Sequence, residues 1–428
     1  MLISFKVTNF RSISEPLKID FSLSTRLKKN DLPQNYSNVN KNNLLNCLIM
    51  YGRNASGKSN ILEALHTLKS LVINSANLKH NEKILEYQPF VFEQNKETAP
   101  TEFEIVFFGK NNIKFNYSVK YLSDKIIFES LYFFPKDVTA KLFERNDDKF
   151  TYGEYFKGDK KNIEEYILPN QLFLSKSASS NIEHLKDAYL FFTNISCADN
   201  TSLMDGPLSR AIHEIFFEFE FLKKNLINLL KASDTNITDL AAVNKSSVDG
   251  LLFFSSTHSD RSGEYLGQHE SKISSKHPFF NNGELMGSRN IDFTEESNGT
   301  KKLSTVATLI LKGLFNGNVI VIDELDKSLH PQLTKMLIKL FHSKKNNPNN
   351  AQLIFSTHDS SLLDLELFRR DQILFVDKTY EGNTFAYKLS DFKKTRNNIP
   401  LDRWYLSGRF DAVPVLTDFE VDFENVKL

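Results

Sequence analysis

Apolar and polar positions alternate from Leu2 to Phe10, the pattern of a half-buried strand. The polar stretch from Phe21 to Asn43 reads as loop. Leu45 to Tyr51 is a short, mostly apolar run of the kind that forms a fully buried strand. A glycine-bounded turn follows, and then apolar residues fall at Ile61, Leu62, Leu65, Leu68, Leu71 and Val72. That spacing predicts a helix from Lys58. Residues 102–108, 114–121 and 126–134 are strand-like runs separated by Gly109-Lys110-Asn111 and Leu122-Ser123-Asp124, so an antiparallel meander is expected. From Asn181 to Ala242 the pattern turns helical, with a stripe at Ile212, Ile215, Phe216, Phe219, Leu222, Leu226 and Leu229. Asn244 to Ser288 is polar and admits a hairpin, a lid or a mobile insert. Helical spacing resumes at Thr300, and Val319 to Ile322 is a purely apolar strand. Pro331 opens another helix, and Gln352 to Ser356 is again a strand. Ile373 to Val376 and Thr384 to Leu389 predict a hairpin around Glu381-Gly382-Asn383.

The chain has 428 residues, more than one compact core usually holds, so two or three lobes are expected. It is 40% hydrophobic and 25% charged, which excludes wholesale disorder and collagen-like repeats. Basic and acidic residues number 53 each, a neutral balance that gives no support to a nucleic-acid coat but leaves room for a local basic patch. Cys47 and Cys197 have no Cys or His at metal-binding spacing and read as reduced, buried thiols. The start, Met1-Leu2-Ile3-Ser4-Phe5-Lys6, has no basic then apolar leader, and no run approaches about 18 uncharged apolar residues. A cytoplasmic protein without membrane spans is expected.

Gly52-Arg53-Asn54-Ala55-Ser56-Gly57-Lys58-Ser59 fits G-x-x-x-x-G-K-[ST], with a buried strand before it and an amphipathic helix after. Gly52 and Gly57 let backbone N–H groups curl around phosphate oxygens, and the helix N-terminus adds partial positive charge. Lys58 reaches the β- and γ-phosphates, and the Ser59 hydroxyl ligates Mg²⁺. Asn54 and Asn60 complete the expected nucleotide-binding set on this segment. The bland alternative is a glycine turn that happens to carry Lys-Ser.

Three further segments gain meaning beside that loop. Val319–Ile322 ends in Asp323-Glu324. A buried parallel strand delivers such residues to the ligand edge of a sheet, where Asp323 would hold Mg²⁺ and Glu324 would polarise the attacking water. Alone, two acids after an apolar strand are often a solvated turn. Glu296-Ser297-Asn298-Gly299-Thr300 precedes a helix, so Ser297 or Thr300 caps it, and an uncovered helix start also attracts phosphate. His358 lies just past the strand Gln352–Ser356, where it would reach the γ-phosphate rather than sit as a structural histidine.

In this order and spacing the four segments resemble an ABC-type ATPase head: Walker A, signature, Walker B and switch histidine. The subtype resembles the SMC/Rad50/RecF group. Val7-Thr8-Asn9-Phe10-Arg11-Ser12 is similar to that group's N-terminal turn, which implies that Arg11 approaches the nucleotide. Ser297-x-Gly299-Thr300 departs from the transporter signature and is similar to that of OLD-like ATPases. Asp323-Glu324-Leu325-Asp326-Lys327-Ser328-Leu329-His330-Pro331 is similar to the group's Walker B and D-loop, which implies a nucleotide-site role for Asp326. Gln88-Pro89-Phe90 is the match for the Q-loop, with Gln88 as a metal ligand. Segments 369–378, 389–392 and 405–414 look like the AAA15/OLD-like bacterial ATPases, which include RloA-type and abortive-infection ATPases.

The resemblance implies an α/β fold: a P-loop ABC-type ATPase head, a mixed sheet with an antiparallel lobe, carrying a helical insertion. The expected division is 1–180 for the N-terminal lobe, 181–288 for a helical arm and variable insertion, and 289–428 for the C-terminal lobe. ATP and Mg²⁺ are the implied cofactors. The expected function is a dimeric ATP-driven switch, the ATPase subunit of a bacterial anti-phage system controlling a separate nuclease or toxin effector. The competing class is a DNA-repair ATPase acting on DNA, for which no long coiled coil or basic track is visible. A fused TOPRIM nuclease is disfavoured, because only 70 residues follow His358 and the acidic tail Asp418 to Glu424 has no fold after it. DNA or RNA is left open as a partner, and no membrane is expected.

Overall fold

The computed structural model describes residues 1–158, 160–180, 182–198, 219–243, 272–392 and 400–413. Two sheets carry the fold. The first is antiparallel and has seven strands. It contains β1 (Leu2–Thr8), β2 (Leu17–Asp20), β6 (Thr101–Phe108), β7 (Lys114–Tyr121), β8 (Ile126–Phe133), β9 (Ala140–Asn146) and β10 (Lys149–Tyr152), in the order β10-β9-β8-β7-β6-β1-β2. Phe103, Ile105 and Phe107 of β6 are buried while Glu102, Glu104 and Val106 between them are half-buried, the alternation of a one-sided sheet. The expected meander is β6-β7-β8.

The second sheet is mixed and has six strands. It contains β5 (Cys47–Tyr51), β11 (Ile195–Ala198), β15 (Val319–Ile322), β16 (Gln352–Ser356), β17 (Ile373–Lys378) and β18 (Thr384–Lys388), in the order β11-β15-β16-β5-β17-β18. All its pairings are parallel except β17 with β18. Strands β5, β15 and β16 are buried on both faces, which is why they read as unbroken apolar runs. Alternate residues feed two cores. Leu48, Met50, Val319, Val321 and Ile354 pack with the antiparallel sheet and α1 (Lys58–Asn74). Ile49, Tyr51, Ile320, Ile322 and Phe355 pack on the other face, with α5 (Glu220–Ala232), α6 (Asn298–Asn316) and α7 (Pro331–His342). Each fully buried Ile, Leu or Val there contributes roughly 1.5–3 kcal/mol.

Several segments differ from the pattern-based expectation. The stretch expected to be helical from Asn181 contains α4 (Glu183–Thr193), but then β11, which pairs with β15 as an edge strand. Cys197 lies on β11 and is half-buried rather than buried; it and Cys47 are free thiols. After α5, the chain enters β12 (Asp239–Val243), which pairs with a long hairpin of β13 (Lys272–Asn281) and β14 (Glu284–Asp292). The hairpin is thus the form taken by the end of the polar segment. Of the predicted stripe, α5 buries Leu222 and Leu226, whereas Ile212, Ile215 and Phe216 lie outside the described residues, as does most of the segment from Asn244. The polar stretch expected as loop holds a small hairpin, β3 (Tyr36–Val39) with β4 (Asn42–Leu45). Among the described residues, no helix is long and apolar enough to cross a membrane.

Candidate functional site

The site is a consequence of strand order. Strands β15, β16 and β5 are parallel neighbours, with Ile322 opposite Phe355 and Ser356 opposite Met50. Adjacent strands lie about 4.8 Å apart. The residues leaving their C-terminal ends therefore emerge side by side: Asp323-Glu324 from β15, Thr357-His358 from β16, and the loop from Gly52 to Gly57 from β5.

The loop is held from behind by the β17–β18 hairpin. A Cβ at Gly52 would lie 2.3 Å from the Val376 carbonyl oxygen, and one at Gly57 would lie 2.1 Å from Thr384 Oγ1. Gly57 also has φ of 107°, a left-handed conformation that only glycine adopts cheaply. Thr384 Oγ1 donates to the Ser56 carbonyl at 3.0 Å and shares a 2.8 Å hydrogen bond with Ser12 Oγ. Asn60 Nδ2 donates to that same Ser12 Oγ at 2.6 Å. Arg53 pairs with Asp377 at 2.6 Å. Lys58 is buried, and its Nζ donates to the carbonyls of Gly52 (2.8 Å) and Arg53 (3.1 Å). Burial lowers its pKa, opposed by the charges of Asp323, Glu324 and Asp326. Ser56 Oγ is buried without a hydrogen-bond partner. Asn54 and Ser59 are exposed at the mouth of the loop.

Thr384→Val tests the role of the hairpin. It removes two hydrogen bonds, each worth roughly 0.5–1.5 kcal/mol net. Chemical denaturation should show a loss of about 1–3 kcal/mol, with weaker nucleotide binding. Unchanged stability and affinity would show that the loop holds its shape alone.

Opposite the loop, the acidic end of β15 is fixed by β16. Ser356 Oγ donates to Asp323 Oδ1, and the Glu324 N–H donates to Ser356 Oγ at 2.8 Å. Glu324 has φ of 50° and pairs with Lys327 at 3.2 Å. Asp326 Oδ1 is buried with no hydrogen-bond partner. The His358 ring is only partly shielded from solvent; that partial desolvation lowers its pKa, with Lys58 adding to the shift and Asp326, Glu324 and Asp323 opposing it. The loop lysine, the three carboxylates and the histidine thus share one electrostatic neighbourhood.

Ser297, Gly299 and Thr300 open α6. Ser297 is the cap: its Oγ accepts from the Thr300 N–H at 3.1 Å and bonds Thr300 Oγ1 at 2.9 Å. A Cβ at Gly299 would lie 3.2 Å from the Ser328 carbonyl oxygen, so the turn rests on the segment that follows Asp326. One residue earlier, Glu296 is bonded by Ser275 Oγ and, at 2.7 Å, by His277 Nε2, both from β13. The base of the β13–β14 hairpin is therefore tied to this turn.

Arg11 and Gln88 are brought together, but by each other. The Arg11 N–H donates to the Gln88 carbonyl at 2.7 Å, and Arg11 Nε donates to Gln88 Oε1 at 2.6 Å. Arg11 Nη2 also faces Glu63 at 3.5 Å. The oxygen with which Gln88 would bind a metal is thus engaged by a guanidinium. Asn9 explains the local shape: its Nδ2 donates to the carbonyls of Lys96 and Ala99, clamping the chain beyond Gln88.

Two participants escaped sequence reasoning. Thr384 sits on an unremarkable hairpin strand. Lys302, on the second turn of α6, is 3% exposed and lies in the field of Asp323, Glu324 and Asp326. Burial, with Lys327 adding to it, lowers its pKa to about 8. A lysine among Leu303, Val306 and Ala307 was the available signal.

The residues present fit a nucleotide and its metal. The glycine cradle admits no side chain, and Ser56 Oγ and Asp326 Oδ1 are buried without partners. Among the described residues no group of three or more His, Cys, Asp or Glu side chains could hold a metal alone. Mg²⁺ is typically held by one or two carboxylates and the substrate phosphates, a set that Asp323 and the Ser59 hydroxyl suit.

The fold and this edge define a P-loop ATPase domain of the AAA type, on an α/β head with a mixed sheet and an antiparallel lobe. The chain belongs to the family described as "AAA domain, putative AbiEii toxin, Type IV TA system", whose profile matches residues 47–364. The SMC head domain from Thermotoga maritima is similar, at 14% identity and a TM-score of 0.40, covering 90% of this chain and 98% of that one. An Smc head domain derived from Pyrococcus furiosus, bound to the C-terminal domain of ScpA, is similar at 13% identity and a TM-score of 0.46, covering 90% and 96%. The recombination mediator RecF with ATP is similar at 13% identity and a TM-score of 0.37, covering 90% and 97%. No curated protein matches the sequence.

Proposed function

We propose that the protein binds and hydrolyses ATP between two copies of its head, and that the closed and open forms act as a switch read by a separate effector. One observation carries the reading: β5, β16 and β15 are neighbours and deliver the phosphate loop, His358 and Asp323-Glu324 to a single edge. In this reading Lys58 Nζ leaves the Gly52 and Arg53 carbonyls for the β- and γ-phosphate oxygens. Ser59 and Asp323 hold the metal, which when bound neutralises phosphate charge. Asn54 and Asn60 line the nucleotide, and Arg11 approaches it with Gln88 as its bonded neighbour. Glu324 accepts the proton of the attacking water, and His358 donates to the γ-phosphate.

The Ser297 turn completes the site from the second copy. Its hydroxyls, its backbone N–H groups and the start of α6 form an anion site, and Gly299 lets the turn rest against the Ser328 carbonyl. Each charge-assisted hydrogen bond to phosphate contributes roughly 1.5–3 kcal/mol. ATP then favours the closed form through contacts that the open form lacks. The family's description, which names a putative toxin of a type IV toxin–antitoxin system, supports a role in such a system; the separate effector is part of the proposal.

The test mixes Lys58→Ala chains with Ser297→Arg chains, each inactive alone. In a mixed dimer one site carries both lesions and the other carries neither. Pairing at random would make half the dimers mixed, each with one intact site, so up to about a quarter of wild-type ATP turnover should return. No recovery, with subunit exchange demonstrated, would show that each head works by itself.

A further inference from the structure

Lys302 is the buried charge that the ATPase reading leaves unused. It is the fifth residue of α6, and every residue from Lys302 to Thr308 is buried, so the helix is enclosed all round at this point. An ammonium in such a place costs several kcal/mol unless opposite charge is near. The opposite charges come from another element, the end of β15: Glu324, Asp326 and Asp323. Lys327 faces it with like charge.

Those carboxylates are unequally engaged. Asp323 accepts from Ser356 Oγ, and Glu324 pairs with Lys327. Asp326 buries an oxygen that has no hydrogen-bond partner. Lys58 couples to the same three acids from the β5 loop. The acidic edge therefore lies in the field of two buried lysines, one on the phosphate loop and one on the helix that begins with the Ser297 turn, and Leu303, next to Lys302, shares a core with Ile322 and Leu325 on either side of that edge. A second contact joins that helix to the same segment, where Gly299 sits against the Ser328 carbonyl.

We propose that Lys302 is a positioning residue that ties the Ser297 turn to the acidic end of β15, so that the charge at that edge and the placement of the turn are set together. The proposal rests on the ATPase reading above. Its sign follows from electrostatics. Lys302 offsets part of the negative charge that attracts a divalent cation, so its removal leaves that edge more negative and cation binding tighter. Its removal also frees the start of α6 from the β15 end, so turnover falls although the nucleotide is still held.

The experiment reads the Mg²⁺ concentration at half-maximal binding of a fluorescent ATP analogue. Wild type is measured first: if it binds no Mg²⁺-nucleotide, the ATPase reading itself fails. Given binding, Lys302→Met should lower the Mg²⁺ midpoint about 3–10-fold. Its kcat should fall at least about fivefold while KM does not rise, the pattern of an interaction made late in the cycle. Lys302→Arg should restore both values to within about twofold, because the charge is kept. A midpoint for Lys302→Met within twofold of wild type would overturn the proposal. Should Lys302→Met not fold, the double variant Lys302→Met/Asp326→Asn decides. Removing both charges should restore soluble protein with a cooperative melting transition that the single variant lacks. A double variant no better than the single would equally overturn it.

Discussion

Lys58→Ala should bind ATP about 10²–10⁴-fold more weakly than wild type, close to abolition at cellular nucleotide concentrations. Lys58 Nζ lies 2.8 Å from the Gly52 carbonyl and 3.1 Å from that of Arg53, so it occupies the loop that the phosphates are proposed to enter. Exchanging these carbonyls for phosphate oxygens replaces neutral acceptors with charged ones, and two such bonds are worth roughly 3–6 kcal/mol. The same ammonium balances Asp323, Glu324 and Asp326, which otherwise repel a polyanion. Isothermal titration with ATP measures the effect, with thermal melting to show that the head still folds. ATP binding within a few-fold of wild type would remove Lys58 from the site and with it the phosphate-loop reading.

The parts of the fold legible in the sequence are those whose pattern has one physical cause. β5, β15 and β16 read as strands because both faces are buried, and their apolar runs cannot alternate. The loop at Gly52 was legible because its glycines answer to contacts that no side chain could make, against Val376 and Thr384. A cap at Ser297 or Thr300 was legible because a hydroxyl residue at a helix start has a local partner, and the structure chooses Ser297, which accepts from the Thr300 N–H three residues on.

The parts that were not legible depend on partners far along the chain. Ile195-Ser196-Cys197-Ala198 is a strand because Val319 to Ile322 offers it a parallel edge, and nothing local distinguishes it from the helix before it. β13 and β14 carry polar residues and a mostly exposed surface, so their pairing is fixed by the Asn282-Gly283 turn rather than by an apolar face. Thr384 acquires its role through hydrogen bonds to residues 372 and 328 positions earlier, Ser12 and Ser56. Arg11 and Gln88 were expected beside the nucleotide and the metal, and the structure adds that they bond each other. Lys302 looks like an ordinary surface lysine until its helix is packed on the acidic strand end.

Glu324→Gln should bind ATP with near wild-type affinity and turn it over about 10²–10⁴-fold more slowly, the usual worth of a general base. The substitution is close to isosteric. The backbone N–H of residue 324 keeps its bond to Ser356 Oγ, and the positive φ of 50° is no harder for Gln than for Glu. Asp323 stays in place through the same serine, so metal binding is retained. What is lost is a carboxylate able to take a proton, together with its ion pair to Lys327. That pair is partly exposed and contributes at most about 1 kcal/mol, so it does not account for a rate loss of this size. A base removed without loss of binding leaves the ATP-bound form with no route onward. The variant should therefore accumulate as an ATP-dependent dimer, seen by size-exclusion chromatography with light scattering, while Lys58→Ala stays monomeric under the same conditions. Two failures are distinguishable. Wild-type turnover would show that Glu324 is not the water-activating group. Slow turnover with tight binding but no dimer would keep Glu324 as the base and reject the closure of two heads over the nucleotide.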